Sequence, residues 1–159
     1  HHRYLHCFPT RRSSDLTTFI SGYPGETTQQ HKELLNFIKK HKFSRLGVFT
    51  YSKEEGTEAA KMKDNVSEAT KIKRMQEILD TQEKISLEVN SSKIGNTYKV
   101  IVDHVDKNNL IARTEFDSPE VDNIVNISVE NSENFHVGQF LNVEITDAES
   151  FELFAQIVK

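Results

Sequence analysis

Thr18-Phe19-Ile20-Ser21-Gly22-Tyr23-Pro24-Gly25-Glu26-Thr27 decides how the first half of this chain folds. Together with Thr17, its opening residues are β-branched and apolar on both faces, the pattern of a buried parallel strand. Gly22-Tyr23-Pro24-Gly25 stops the strand. Glu26-Thr27 then opens a helix with Leu34, Leu35 and Ile38 on one stripe and Gln29, Lys32, Glu33, Lys39 and Lys40 outside. A second strand of the same kind follows at Leu46-Gly47-Val48-Phe49-Thr50-Tyr51, and a polar loop runs from Ser52 to Asn65. Ser67 and Glu68 start another helix, striped by Ile72, Met75, Ile78, Leu79, Ile85 and Val89, with Gln82, Glu83, Lys84, Ser86 and Asn90 on its wet face.

Two strand–helix units cannot bury both strand faces or hide their sheet edges. Residues 17–90 are therefore expected to be the carboxyl-terminal part of a larger parallel α/β barrel whose other strands lie upstream. Residues 91–159 change character. Tyr98, Val100 and Val102 alternate with Lys99, Ile101 and Asp103, and Asn108-Asn109 turns the chain into Leu110, Ala112, Thr114 and Phe116. Val125, Ile127 and Val129, then Leu141, Val143 and Ile145 after Gly138, then Phe151, Leu153, Ala155 and Ile157 continue the alternation. Five short strands with no helix between them predict a small closed β-barrel of the OB-like kind. Residues 91–97 read as the linker, with Gly95 breaking the helix before it. The fold class is α/β followed by all-β.

Residues 1–16 match neither half. HHRYLHCFPTRRSSDL has no helical or strand period and resembles a translated sequencing-adaptor leader, so it is set apart as non-native. His1, His2, His6 and Cys7 could be read as a metal cluster, but ligands on a frayed terminus lack groups to orient them. Cys7 is the single cysteine of 159 residues, which excludes an internal disulfide and a cysteine-only metal site. A reducing, cytoplasmic compartment fits, and the Asn65, Asn90 and Asn126 sequons then carry no meaning. With 28% charged residues, a net charge of −4 and a mean hydropathy of −0.57, the chain is mildly acidic and has no membrane-length apolar run.

Each motif has a functional and a plain reading. A glycine at a strand's carboxyl end lets a flat ligand approach the backbone, and barrel enzymes bind ligands there. Gly22 would serve equally in an ordinary strand-to-helix turn. The string lacks the spacing and lysine of a phosphate loop. Glu54-Glu55 could be an acid–base pair, but adjacent residues in an open loop point apart, so a solvated loop is the simpler reading.

Taken in order and followed by a barrel, these strings resemble the carboxyl-terminal half of the radical-SAM methylthiotransferases. The resemblance rests on Thr18–Thr27, on Val48-Phe49-Thr50-Tyr51-Ser52-Lys53-Glu54-Glu55-Gly56-Thr57, and on Met75, Gln82, Ile85-Ser86 and Asn90. The terminal barrel resembles a TRAM domain. Glu54-Glu55-Gly56-Thr57 and the run from Arg113 to Asp122 are most similar to the RimO-type branch, which methylthiolates an aspartate of a small-subunit ribosomal protein (S-twelve). A tRNA-modifying enzyme of the same family and a non-catalytic nucleic-acid-binding TRAM module are the alternatives. His31 departs from the aromatic or aliphatic residue usual in the family. Asn123 departs from glycine, which is tolerated if it takes a left-handed conformation.

The resemblance implies the end of a partial (βα) radical-SAM barrel over residues 17–90, joined to a five-stranded TRAM β-barrel over residues 91–159. It implies S-adenosyl-L-methionine and two 4Fe-4S clusters in the full-length enzyme, with cluster cysteines absent here and no catalytic or metal-binding residue in this piece. Ile20, Gly22 and Phe49 would form a wall of the S-adenosylmethionine pocket. The barrel segment carries twelve acidic and five basic residues, a net charge of −7. An acidic barrel suits a basic ribosomal protein better than tRNA. Glu115, Asp117, Glu120 and Asp122 are the expected contact surface.

Overall fold

The computed structural model describes residues 16–118 and 123–158. The chain runs β1 (Leu16–Ser21), α1 (Thr28–His41), β2 (Arg45–Thr50), α2 (Glu58–Lys61) and α3 (Glu68–Ser91), then β3 (Thr97–Val105), β4 (Asn109–Thr114), β5 (Ile124–Ser128), β6 (Phe140–Ala148) and β7 (Glu152–Ile157). Leu16 pairs with Arg45 and so belongs to β1, one residue earlier than the sequence boundary. The remaining leader residues fall outside the described part.

β1 and β2 are parallel and in register from Leu16↔Arg45 to Ser21↔Thr50. Thr27 caps α1 through a capping box: its hydroxyl accepts the Gln30 N–H while the Gln30 side chain accepts the Thr27 N–H. Ser67 caps α3 as expected. The polar loop between β2 and α3 holds one short helix, α2, capped by Thr57, whose four residues carry no apolar period. Ile38, Val48, Ile78 and Ile85 form the core between sheet and helices, with Phe19, Leu34, Leu35 and Met75 against it.

Helices cover only one face of the two strands. The other face shows Leu16 72%, Ile20 57% and Phe49 65% exposed, so the strands are not buried on both sides. Among the described residues the sheet has two strands and no more.

The second half is a closed barrel in the order β3-β4-β5-β7-β6, with β6 returning to β3 and β5 pairing parallel with β7. One parallel pair in an otherwise antiparallel five-stranded ring is the OB-like arrangement. Alternate residues point inward: Val100, Val102, Leu110, Ala112, Val125, Ile127, Val143, Ile145, Leu153 and Ala155 make the core. The β3–β4 turn is Asp106 to Asn108, closed by the Asp106 N–H on the Asn109 carbonyl; Asn109 itself is already in the ladder.

The α3 stripe is rotated from its expected position. Ile72 and Leu79 are exposed, whereas Lys71, Arg74, Gln82, Ser86 and Asn90 are buried. Gln82, Ser86 and Asn90 are therefore not on a wet face. Gln82 reaches the loop before β2, Ser86 meets Gln82, and Asn90 reaches the barrel. Gln82 donates to the Phe43 carbonyl at 2.9 Å and to Ser86 Oγ at 3.1 Å. Asn90 donates to the carbonyls of Glu149 and Ser150 and accepts from Lys93 and Asn123.

Candidate functional site: the carboxyl ends of β1 and β2

The strands end side by side at Ser21 and Thr50, and the Tyr51 N–H continues the pairing to the Ser21 carbonyl at 2.8 Å. Ile20 and Phe49 are register partners just before this end, both on the face that helices leave open. Two large apolar side chains held there form a flat apolar wall at the strand end where barrel enzymes bind ligands. From Phe49 a cavity of about 360 Å³ runs toward the amino ends of the strands, bounded also by Gln82, Ser86, Asn123 and Phe151.

Gly22 does something different from the role its position suggested. It has φ +74°, and a Cβ placed on it would overlap the Cγ of Lys71. The space a side chain would take is thus filled by a lysine stem from α3, not left for a ligand. Its N–H donates to Glu26 Oε2 at 2.5 Å. Of the three expected wall residues, the structure brings Ile20 and Phe49 together on the open face and gives Gly22 to the turn behind it. Ile20 and Phe49 thus present exposed apolar surface at the strand ends.

Around this turn lies a set of charged groups that the sequence reading missed. Arg74 Nη1 donates to the Glu26 carbonyl at 3.1 Å and stands 3.2 Å from Glu26 Oε2. Lys71 Nζ is 2.7 Å from both Asp64 Oδ2 and Glu68 Oε1 and lies over the Tyr51 ring. The hydrogen bond from Lys71 holds the Asp64 carboxyl below its ordinary range, and the same bond raises the lysine. His31 is buried, with Nε2 2.7 Å from Glu77 Oε2 and Nδ1 3.8 Å from Glu26 Oε1. The Glu77 carboxylate satisfies Nε2, whereas the buried Nδ1 has no hydrogen-bond partner among the described residues. The signal for Lys71 and Arg74 was their spacing: with Ile78, Gln82 and Ile85 they repeat every three or four residues on one helix face.

The expected acidic surface on the barrel is altered. Asp117 is buried, ion-paired with Arg45 and accepting a hydrogen bond from Thr114 Oγ1 at 2.5 Å. It is therefore removed from the contact surface: its charge is neutralised between the two halves of the molecule. Glu115 is exposed, and Glu120 and Asp122 lie outside the described residues. Asn123 does not take a left-handed conformation; it is buried and donates to Asn90 Oδ1 at 2.8 Å. Lys93, near the same junction, has its pKa lowered mainly by burial, against the pull of Asp117. No group of three His, Cys, Asp or Glu converges on a metal-sized site among the described residues, and no described helix is long and apolar enough to cross a membrane.

The TRAM domain family model matches residues 94–158, which is the barrel. The ribosomal protein uS12 methylthiotransferase RimO of Bacteroides thetaiotaomicron is 48% identical over 143 residues, covering 89% of this chain and 33% of that protein. The protein of the same name from Cytophaga hutchinsonii is also 48% identical over 143 residues, covering 90% of this chain and 32% of its own length. The chain thus spans about a third of the length of the relatives it matches. Among solved structures, RNase R of Mycoplasma genitalium covers 64% of this chain at a TM-score of 0.35 and 9% identity, a likeness too slight to carry an argument. Residues 94–158 form a TRAM domain, and 89% of the chain is homologous to about one third of a RimO-type methylthiotransferase.

Proposed function

We propose that this chain is part of an enzyme that adds a methylthio group to an aspartate of ribosomal protein uS12, supplying one wall of the S-adenosylmethionine pocket and a barrel that receives the substrate protein. The 48% identity to a uS12 methylthiotransferase across 89% of the chain carries this reading. The open Ile20–Phe49 face supports it, because an apolar wall at the carboxyl ends of parallel strands suits a flat purine. S-adenosylmethionine, with two 4Fe-4S clusters, supplies the radical and the sulfur in such enzymes. The work of this chain is to bind, to orient and to exclude water. Ile20 and Phe49 pack on the adenine, and the turn from Gly22 to Glu26 fixes the backbone beside it.

Cluster ligands are thiolates, and the single Cys7 cannot provide two such sets, so this piece is inactive by itself. Its place of work is the cytoplasm, with the ribosome. The barrel, at a net charge of −7 over residues 91–159, steers a basic ribosomal protein, with Glu115, Glu120 and Asp122 as the contact candidates.

The deciding experiment joins residues 17–159 to the upstream two thirds of the Bacteroides thetaiotaomicron relative, reconstitutes the clusters anaerobically and supplies uS12. One added methylthio group on an aspartate-containing uS12 peptide is the expected mass-spectrometric result. Modification of tRNA in place of uS12 would overturn the substrate assignment.

A further inference from the structure

Lys71 and Arg74 are only 2% and 7% exposed, although burying a cation costs free energy unless it is paired. Beyond their own helix, both reach the loops at the carboxyl ends of β1 and β2. Arg74 grips Glu26 twice, at its carbonyl oxygen and at Oε2, and this same Oε2 accepts the Gly22 N–H. The stem of Lys71 fills the space beneath Gly22, its carbonyl accepts the Ser21 hydroxyl at 3.5 Å, and its Nζ ties down Asp64 from the following loop. Lys71 and Arg74 thus hold the turn at three points, the Gly22 amide through Glu26, the underside of Gly22 and the Glu26 carbonyl, beside the Gly25 N–H bond to Asn65 Oδ1.

We infer that Lys71 and Arg74 are positioning residues that set the pose of the Gly22–Glu26 turn and, through it, the affinity of the adjoining Ile20–Phe49 wall for the adenosyl cofactor. The inference rests on the cofactor reading above. Without Arg74 the Glu26 carboxylate loses its counter-charge and turns toward water. Gly22 then loses the acceptor for its N–H, and as a glycine at positive φ it has no side chain to restrain it. The turn one residue beyond Ile20 becomes an ensemble, and ordering it again is charged against cofactor binding.

The test uses the reconstituted full-length chimaera with Arg74→Gln, Arg74→Lys and Lys71→Met. The readouts are the S-adenosylmethionine dissociation constant by equilibrium dialysis and turnover at saturating cofactor. Amide exchange at Gly22 and the unfolding midpoint are read on the 159-residue chain. Arg74→Gln is expected to weaken cofactor binding by about tenfold while saturated turnover is largely kept, since misplacement of a binding wall acts first on affinity. Gly22 exchange should rise while the barrel amides stay protected. Arg74→Lys should recover most of the affinity, and Lys71→Met, which keeps the stem, should lose less than Arg74→Gln. Equal affinity in all four proteins overturns the inference and leaves the cofactor reading standing, as does an affinity loss that only parallels a fall in unfolding midpoint. Failure of the unsubstituted chimaera to bind S-adenosylmethionine overturns both.

Discussion

Asp117 illustrates how much a single position depends on what lies opposite it. In a run of acidic residues it reads as one more surface charge, yet its side chain is fully buried against Arg45 and Thr114. Removing one partner of a buried ion pair leaves the other charge desolvated, so Asp117→Ala should cost about 3 kcal/mol, measured as a fall in the urea midpoint. Glu115→Ala, an exposed neighbour, should change almost nothing. Asp64 and Lys71 give a second residue-level expectation, in which pH is the variable. The carboxyl of Asp64 is lowered, so its contribution is present above the ordinary carboxylate range and is lost as pH falls through its folded value. Lys71 is raised, so its contribution is present below the ordinary lysine range and is lost as pH rises through its folded value. Stability against urea should be flat through neutrality and fall at both extremes, and Asp64→Asn should weaken both dependences. An unchanged profile in that variant would show that the pair contributes nothing to folding.

At the level of the element, α3 is where sequence and structure part company. The barrel strands were legible because alternation is a local signal: Val100 and Val102, or Val143 and Ile145, point inward whatever lies across the ring. The two parallel strands and the Thr27 and Ser67 helix starts were legible for similar reasons. On α3, Gln82, Ser86 and Asn90 were assigned to water and are buried, and Lys71 and Arg74, which the stripe did not include, are buried as well. Gln82, Arg74 and Asn90 find partners at Phe43, Glu26, Glu149, Ser150 and Asn123, tens of residues away, so no window of sequence contains the reason for their burial. Asn90 is the clearest case. Both amide hydrogens and two acceptor sites are used, on Glu149, Ser150, Lys93 and Asn123. Asn90→Leu strands those groups and should destabilise the chain by about 2–3 kcal/mol in chemical denaturation. The candidate site divides in the same way: Ile20 and Phe49 were named by family resemblance, since the strand pattern alone read both faces as buried, while Lys71 and Arg74 were hidden on a helix face that periodicity alone would fill with apolar side chains.

Across the whole molecule the two halves differ in how complete they are. The barrel closes its ladder and surrounds a core of ten buried residues, whereas the α/β half leaves Leu16, Ile20 and Phe49 in water. An excised segment of residues 94–159 should therefore keep slow amide exchange, and residues 17–90 alone should not, because two strands with bare edges cannot bury enough surface. Equal protection in both segments would refute this. What joins the halves is α3, a single helix of 24 residues with Lys71 under the Gly22 turn and Asn90 in the barrel junction. Nineteen residues of helix separate those two by about 28 Å, and each residue adds about 100° of rotation. The helix therefore acts as a keyed shaft. Insertion or loss of one residue between Lys71 and Asn90 would leave both ends intact yet turn Asn90 away from Glu149, Ser150 and Asn123 whenever Lys71 stayed seated. Substitutions on its outer face leave both ends seated, but its length is fixed to the residue, so the chain can drift in composition here far more readily than in residue count.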